Sequence, residues 1–211
     1  MPNIRRFIVY ILGLVVLSFG IAFSIRSGLG VSPVSSIPYT LSRISGQTVG
    51  FTTTAFYSLC IVLQLFILKK DFKLRHLLQF VFSYVFGLFT DMSMFLTKNL
   101  ATDIYTVRLA MLAFSLVLIA FGVYTVVLTD VVMNAPDGLV KTIADHWHLE
   151  FSKVKSIFDL ICVSTSIILS LVFMGNITGL REGTIIASLS IGRLIGVVSR
   201  RYKEKIASLY T

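Results

Sequence analysis

The chain is short of the residues most often recruited for chemistry. It holds two cysteines, one tryptophan, three histidines and four prolines, and ten acidic residues against nineteen basic ones. Cys60 and Cys162 both fall inside long apolar runs, where cysteine behaves as a small hydrophobe, so neither a disulfide framework nor a thiolate metal site follows. His146 and His148 stand two positions apart and cannot share a helix face. An interfacial anchor built around Trp147 is expected there, and all three histidines are expected in cytoplasmic loops. There is no Ser-His-Asp set, no His-Glu-x-x-His helix and no glycine-rich loop ending in Lys-Ser or Lys-Thr, the patterns that hydrolytic, zinc and nucleotide chemistry use. The expectation is a protein that is not an enzyme, takes no cofactor and binds no metal.

Polar surface is scarce as well. With 55% hydrophobic residues, 17 phenylalanines among 211 residues and a mean hydropathy of +0.87, the chain cannot cover a water-soluble core. A bilayer core takes about 17–25 apolar residues per helix. Six runs meet that length or come close to it: 7–25, 51–68, 77–95, 109–129, 156–174 and 183–199. The first is too long for a signal peptide, and the Arg26-Ser27-Gly28 that follows offers no cleavage pattern.

The net charge of +9 reads as topology once the basic residues are placed between the spans. Arg5, Arg6, Lys69, Lys70, Lys73, Arg75, Lys141, Lys153, Lys155, Arg200, Arg201, Lys203 and Lys205 fall on one side, whereas Arg26, Arg43, Lys98, Arg108 and Arg181 fall on the other. The positive-inside rule then puts both termini of this multi-pass protein on the cytoplasmic side. Charge interleaved with spans makes no continuous groove for nucleic acid.

The runs themselves repeat. Phe19-Gly20 leads to the bend Gly28-Leu29-Gly30-Val31-Ser32-Pro33, and Phe121-Gly122 leads to Asn134-Ala135-Pro136-Asp137-Gly138. Phe51 or Phe151 opens the next run in each case, and Gly87 or Gly192 lies in the one after. The reading is an all-α membrane protein of two three-helix repeats, residues 1–96 and 109–199, joined by a linker at 97–108 and followed by a basic tail at 200–211. Because three is odd, the second repeat is expected upside down relative to the first.

Each bend predicts a short half-helix. Gly28 and Gly30 admit left-handed backbone, Ser32 is suited to cap a helix, and Pro33 suits its first position. Asn134, Pro136 and Gly138 offer the same sequence of roles. Helix N-termini attract negative charge, so the bends are candidate sites for an anion or a carboxylate, with Gly28, Gly30, Ser32, Ser35, Ser36, Asn134, Asp137, Gly138, Lys141 and Arg193 as the binding residues. Two features run against this. Pro38 is expected to kink the first half-helix early, and Asp137 repels an anion unless neutralised. The plainer reading makes both bends surface turns leading to interfacial helices.

Ionisable groups inside spans are costly and functional or paired. Asp159 and Arg193 are expected at similar depth from one face and Arg26 and Asp91 near the other, giving two candidate gating pairs. Alternatively, Arg193 faces the cavity as counter-ion to the guest.

The Gly-Leu-Gly-x-Ser-Pro element at 28–33, Arg181-Glu182-Gly183-Thr184 before the last run and Gly192 within it resemble the YczE/YyaS/YitT family of bacterial integral membrane proteins, over nearly the whole chain. The resemblance implies a multi-pass protein of the bacterial cytoplasmic (cell) membrane with a transport role, and it names no substrate. The leading expectation is a small secondary transporter moving an anionic or zwitterionic metabolite by alternating access. The alternatives are the substrate-binding membrane subunit of an energy-coupling vitamin importer, or a non-transporting assembly partner. The expected partners are lipid, a small molecule and a second copy in a homodimer.

Overall fold

The computed structural model describes residues 4–72, 74–100 and 102–207; Lys73 and the end of the basic tail, 208–211, lie outside the described residues. Among those described, the regular structure is helical: α1 (Ile4–Ser27), α2 (Pro33–Ser45), α3 (Val49–Leu68), α4 (Leu74–Leu96), α5 (Tyr105–Thr129), α6 (Ala135–His146), α7 (Phe151–Met174) and α8 (Glu182–Ala207), with 3-10 turns at Lys69–Asp71 and Lys98–Leu100. Six helices are long and apolar enough to cross a membrane, in agreement with the six apolar runs. α2 and α6 are the two short ones. Their 13 and 12 residues extend about 18–20 Å at 1.5 Å per residue, too short for a bilayer core of about 30 Å.

The contacts divide the chain into two compact units, and each draws on both ends of the sequence. Unit 1 comprises 1–32, 89–131 and 179–211; unit 2 comprises 33–88 and 132–178.

In unit 1, α1 and α5 pack lengthwise in opposite directions. Gly13 faces Thr125 and Val126, Leu17 faces Gly122, and Gly20 faces Ile119. The Phe23 and Phe114 rings meet edge to face, 5.2 Å apart. The glycines set the spacing. A Cβ on Gly122 would stand 2.7 Å from the Leu17 nitrogen, and one on Gly20 would stand 2.9 Å from the Ile119 nitrogen, so only bare Cα positions let the two backbones come this close. α8 runs alongside α5 in the same direction: Gly183 lies against Leu112 at their starts, and Val198 joins Val9 and Tyr124 at the other end. The chain-terminal ends of α1 and α8 are therefore at the same end of this unit.

In unit 2, α2 runs parallel to α7. Ser36 Oγ donates to Cys162 O at 3.3 Å, and one turn on Thr40 Oγ1 and Ser166 Oγ share a hydrogen bond of 2.6 Å. α6 and α7 form a hairpin around the turn 147–150, with Val140, Ala144, Val154 and Phe158 packed together. α3 turns back along α2, where Thr52 Oγ1 donates to Pro38 O at 2.8 Å. Pro38 does not cut the helix short: α2 continues through it to Ser45. The residue is buried, and its carbonyl is tied to α3 by that hydroxyl.

Two of the three histidines lie in helices and not in loops. His76 lies in α4, with its ring stacked on Phe72 at 4.9 Å, and His146 closes α6 edge-on to the half-exposed Trp147. His148 is in the turn, at a positive φ of 53°.

Candidate functional site

The hairpin of α6 and α7 carries a charged triad, two members of which lie within a helix long and apolar enough to cross a membrane. Asp137 sits in the first turn of α6, and Lys155 and Asp159 sit one turn apart on α7. Lys155 Nζ lies 3.1 Å from Asp137 Oδ1 and 3.1 Å from Asp159 Oδ1, with all three side chains about one quarter exposed. Asp159 is eight residues into α7, which puts it about 12 Å along the span. One ammonium thus bridges two carboxylates, and the set carries one negative charge more than it neutralises.

Both half-helices start at this level. Because the hairpin is antiparallel, the first turn of α6 lies beside Asp159, as the Asp137–Lys155–Asp159 bridge requires. Ser36, in the first turn of α2, bonds Cys162, so Pro33 lies about one turn earlier along α7, again level with Asp159. The two N-termini therefore begin beside the same middle stretch of α7 rather than at its ends. Their electrostatics differ. α6 has Asp137 in its first turn, where a carboxylate complements the positive end of the helix dipole, while α2 has no acidic residue in its first turn.

Buried amides and hydroxyls tie the half-helices to the long ones. Gln64, fully buried on α3, donates from Nε2 to Ala135 O at 3.1 Å and to Gln79 Oε1 at 3.0 Å. Its Oε1 has no hydrogen-bond partner and points at Gly138, where a Cβ would stand 3.1 Å away. Ser166 on α7 bonds Ser36 O at 3.2 Å and Thr40. Gln64 and Ser166 are 102 residues apart, as are Cys60 and Cys162 and Gly20 and Gly122. Each thus reaches a half-helix carbonyl from the same numbered place.

The expected site residues separate into groups. Ser36, Asp137, Gly138 and Asp159 come together in unit 2, where Asp137 and Asp159 share the single cation of Lys155. Asp159 makes its ion pair with Lys155, not with Arg193, which is exposed on α8 in unit 1. Lys141 is also exposed, and Asn134 precedes α6 as its N-cap without a side-chain cap bond. Ser35 lies half-buried in the first turn of α2.

Gly28, Gly30, Ser32, Arg26 and Asp91 belong to unit 1. There Arg26 Nη2 donates to Met94 O at 2.8 Å, three residues past Asp91. The corner at 28–31 is braced by its own backbone: Val31 N donates to Gly179 O at 3.0 Å and Gly183 N to Leu29 O at 2.8 Å. Gly28 and Gly30 have φ of 62° and 127°, conformations open to glycine at little cost.

Lys155, Gln64 and Gln79 escaped the sequence reading. The sequence groups Lys155 with the loop charges, whereas it lies four residues inside a helix. The glutamines left a usable signal, since an amide in an otherwise apolar span needs a partner inside the protein. Among the described residues no group of three or more His, Cys, Asp or Glu side chains is arranged to hold a metal.

Six helices of spanning length, two half-helices and ion-paired groups well inside the hairpin define a polytopic integral membrane protein with a polar interior. The profile of a family of unknown function (DUF6198) matches residues 4–200, and the chain belongs to that family. It is similar to two proteins of Bacillus subtilis (strain 168). The uncharacterized protein YyaS is 27% identical over 174 residues, 82% of this chain and 83% of the relative. The uncharacterized membrane protein YczE is 27% identical over 151 residues, 70% and 68% of the two chains. No solved structure matches.

Proposed function

We propose that the protein is a small secondary transporter whose guest is a zwitterionic or anionic metabolite bound where α2 and α6 begin. The observation that carries this reading is the start of both half-helices about 12 Å along α7, beside Asp159 and away from either end of the span. Broken helices whose N-termini meet at depth are how membrane carriers hold carboxylates. The positive end of α2, whose first turn has no acidic residue, suits the carboxylate, and the extra negative charge of the Lys155 triad suits an ammonium group, which favours a zwitterion over a simple anion.

Alternating access requires two arrangements of similar energy, and inverted repeats supply them. Antiparallel directions for spans three apart follow from any six-span topology and carry no weight alone. Reciprocity does carry weight. Gly20 packs on the residue three before Gly122, and Gly122 packs on the residue three before Gly20, the signature of a twofold relation. Within unit 2 the half-helices are also exchanged between the two halves of the sequence, α2 onto α7 and α6 onto α3. With the termini in the cytoplasm, as the basic residues suggest, the twofold lies in the plane of the membrane.

Thermal unfolding of the detergent-purified protein with alanine, glutamate, succinate and putrescine tests the guest class. The proposal expects stabilisation by an amino acid, reduced in Asp137→Asn. Stabilisation by putrescine alone, or by none of the four, contradicts it.

A further inference from the structure

Where α1 ends and α5 and α8 begin, two arginines from distant segments converge on a single neutral acceptor. Arg108 Nη2 donates to Gly28 O at 2.8 Å while its Nε donates to Ser27 O at 2.6 Å, and Arg181 Nη1 donates to the same Gly28 O at 3.2 Å. Nitrogens at those distances from one oxygen lie within about 6 Å of each other, where like charges repel. Neither guanidinium meets a carboxylate among the described residues, and a carbonyl dipole does not offset two full charges. We infer that Arg108 and Arg181 form a binding site for a phosphoryl anion, supplied by a phospholipid headgroup.

Donor count and position both support an anion of this kind. Each guanidinium carries five N–H donors; Arg108 uses two on backbone carbonyls and Arg181 one, which leaves the remainder for a ligand. The planar fork of arginine matches phosphate oxygens two at a time. Three helices of 24, 25 and 26 residues have an end at this place; at about 1.5 Å per residue each outreaches a hydrocarbon core of about 30 Å. The arginines therefore stand at headgroup level, with Arg181 exposed and Arg108 half-buried.

The corner also lacks a charge that its counterpart possesses. α5 ends on Asp130 in left-handed conformation, φ 46°, with a carboxylate of its own; α1 ends at Gly28, φ 62°, with none. A side chain at Gly28 has no room, because its Cβ would lie 2.5 Å from Arg108 Nη2. The Gly28 corner itself therefore brings no negative charge to the two guanidinium groups.

The test uses the full chain in phosphate-free maltoside micelles at constant ionic strength. Unfolding temperature is followed while dihexanoyl-phosphatidylglycerol, inorganic phosphate or chloride is added. Arg181→Gln is the deciding variant, since its exposed side chain is not needed to fold; Arg108→Gln, which also uncaps α1, is secondary; Arg43→Gln is the control. The expected result is a saturable rise with the lipid in the native chain and the control, reduced at least by half in Arg181→Gln. An equal rise with millimolar inorganic phosphate supports the phosphoryl site and transfers its source to a solute. A rise unchanged in Arg181→Gln, or matched by chloride, overturns the proposal.

Discussion

Gly20 on α1 and Gly122 on α5 stand across a shared seam, each accepting the backbone of the other helix at the residue three positions before its partner glycine. Close approach of two helix backbones in lipid rests on packing alone, with no gain from excluding water. A methyl group at either position forces the helices apart. Gly20→Ala and Gly122→Ala are each expected to lose about 1–3 kcal/mol, measured by unfolding in mixed micelles. Gly192→Ala, with nothing within 4 Å of its Cβ, is expected to change little. Equal loss at all three positions would remove the seam from the account.

The charged triad makes a second prediction. Lys155→Met leaves Asp137 and Asp159 together without their cation, and breaking such a pair costs about 3–5 kcal/mol when buried. A value toward the lower end is expected for side chains about one quarter exposed. Adding Asp159→Asn to Lys155→Met removes one of the repelling charges and should restore part of the loss. Purely additive losses in the double variant, read from unfolding temperatures, would mean that the three groups act separately.

Gln64 should be the most sensitive uncharged residue in unit 2. It is fully buried, and its amide joins α3 to the start of α6 and to Gln79. Gln64→Ala leaves the buried Gln79 carbonyl without that donor and removes the tie to Ala135 O, at about 1–3 kcal/mol. Ser166→Ala, which removes bonds to Ser36 and Thr40, should cost about 1 kcal/mol. Amide hydrogen exchange at the first turn of α6 should rise in the Gln64 variant and stay unchanged in the Ser166 variant.

Thr184 gives a prediction of opposite sign. Its hydroxyl is buried against the corner at Gly30 and has no hydrogen-bond partner. A buried polar group without a partner is a net cost, so Thr184→Val, of the same shape, should raise the unfolding temperature. A fall would show that the hydroxyl has a role in the corner.

The sequence revealed the helices more readily than the site. The six long runs were legible because lipid demands length and apolarity together, and the starts of α2 and α6 were legible because Pro33 and Asn134 are helix-opening residues. Depth was not. Whether a half-helix lies in the interface or along a span is decided by tertiary pairings such as Ser36 with Cys162, which leave no local pattern. Lys155 shows the same gap. Its charge counts toward topology in the sequence, whereas its position four residues into α7 makes it the bridge between two carboxylates. The Gly87 and Gly192 echo proved unequal in packing: a Cβ on Gly87 would collide with Thr54 and Gly50, and one on Gly192 would meet open space.

Access to the starts of the half-helices from both faces of the membrane is the core of the account, and labelling tests it without knowledge of the guest. Ser35→Cys, half-buried in the first turn of α2, is placed in a Cys60→Ser, Cys162→Ser background and exposed to a membrane-impermeant maleimide in right-side-out and inside-out vesicles. The account predicts labelling from both faces, at rates that change in opposite directions when a guest is bound. Labelling from one face only, or from neither, would contradict it.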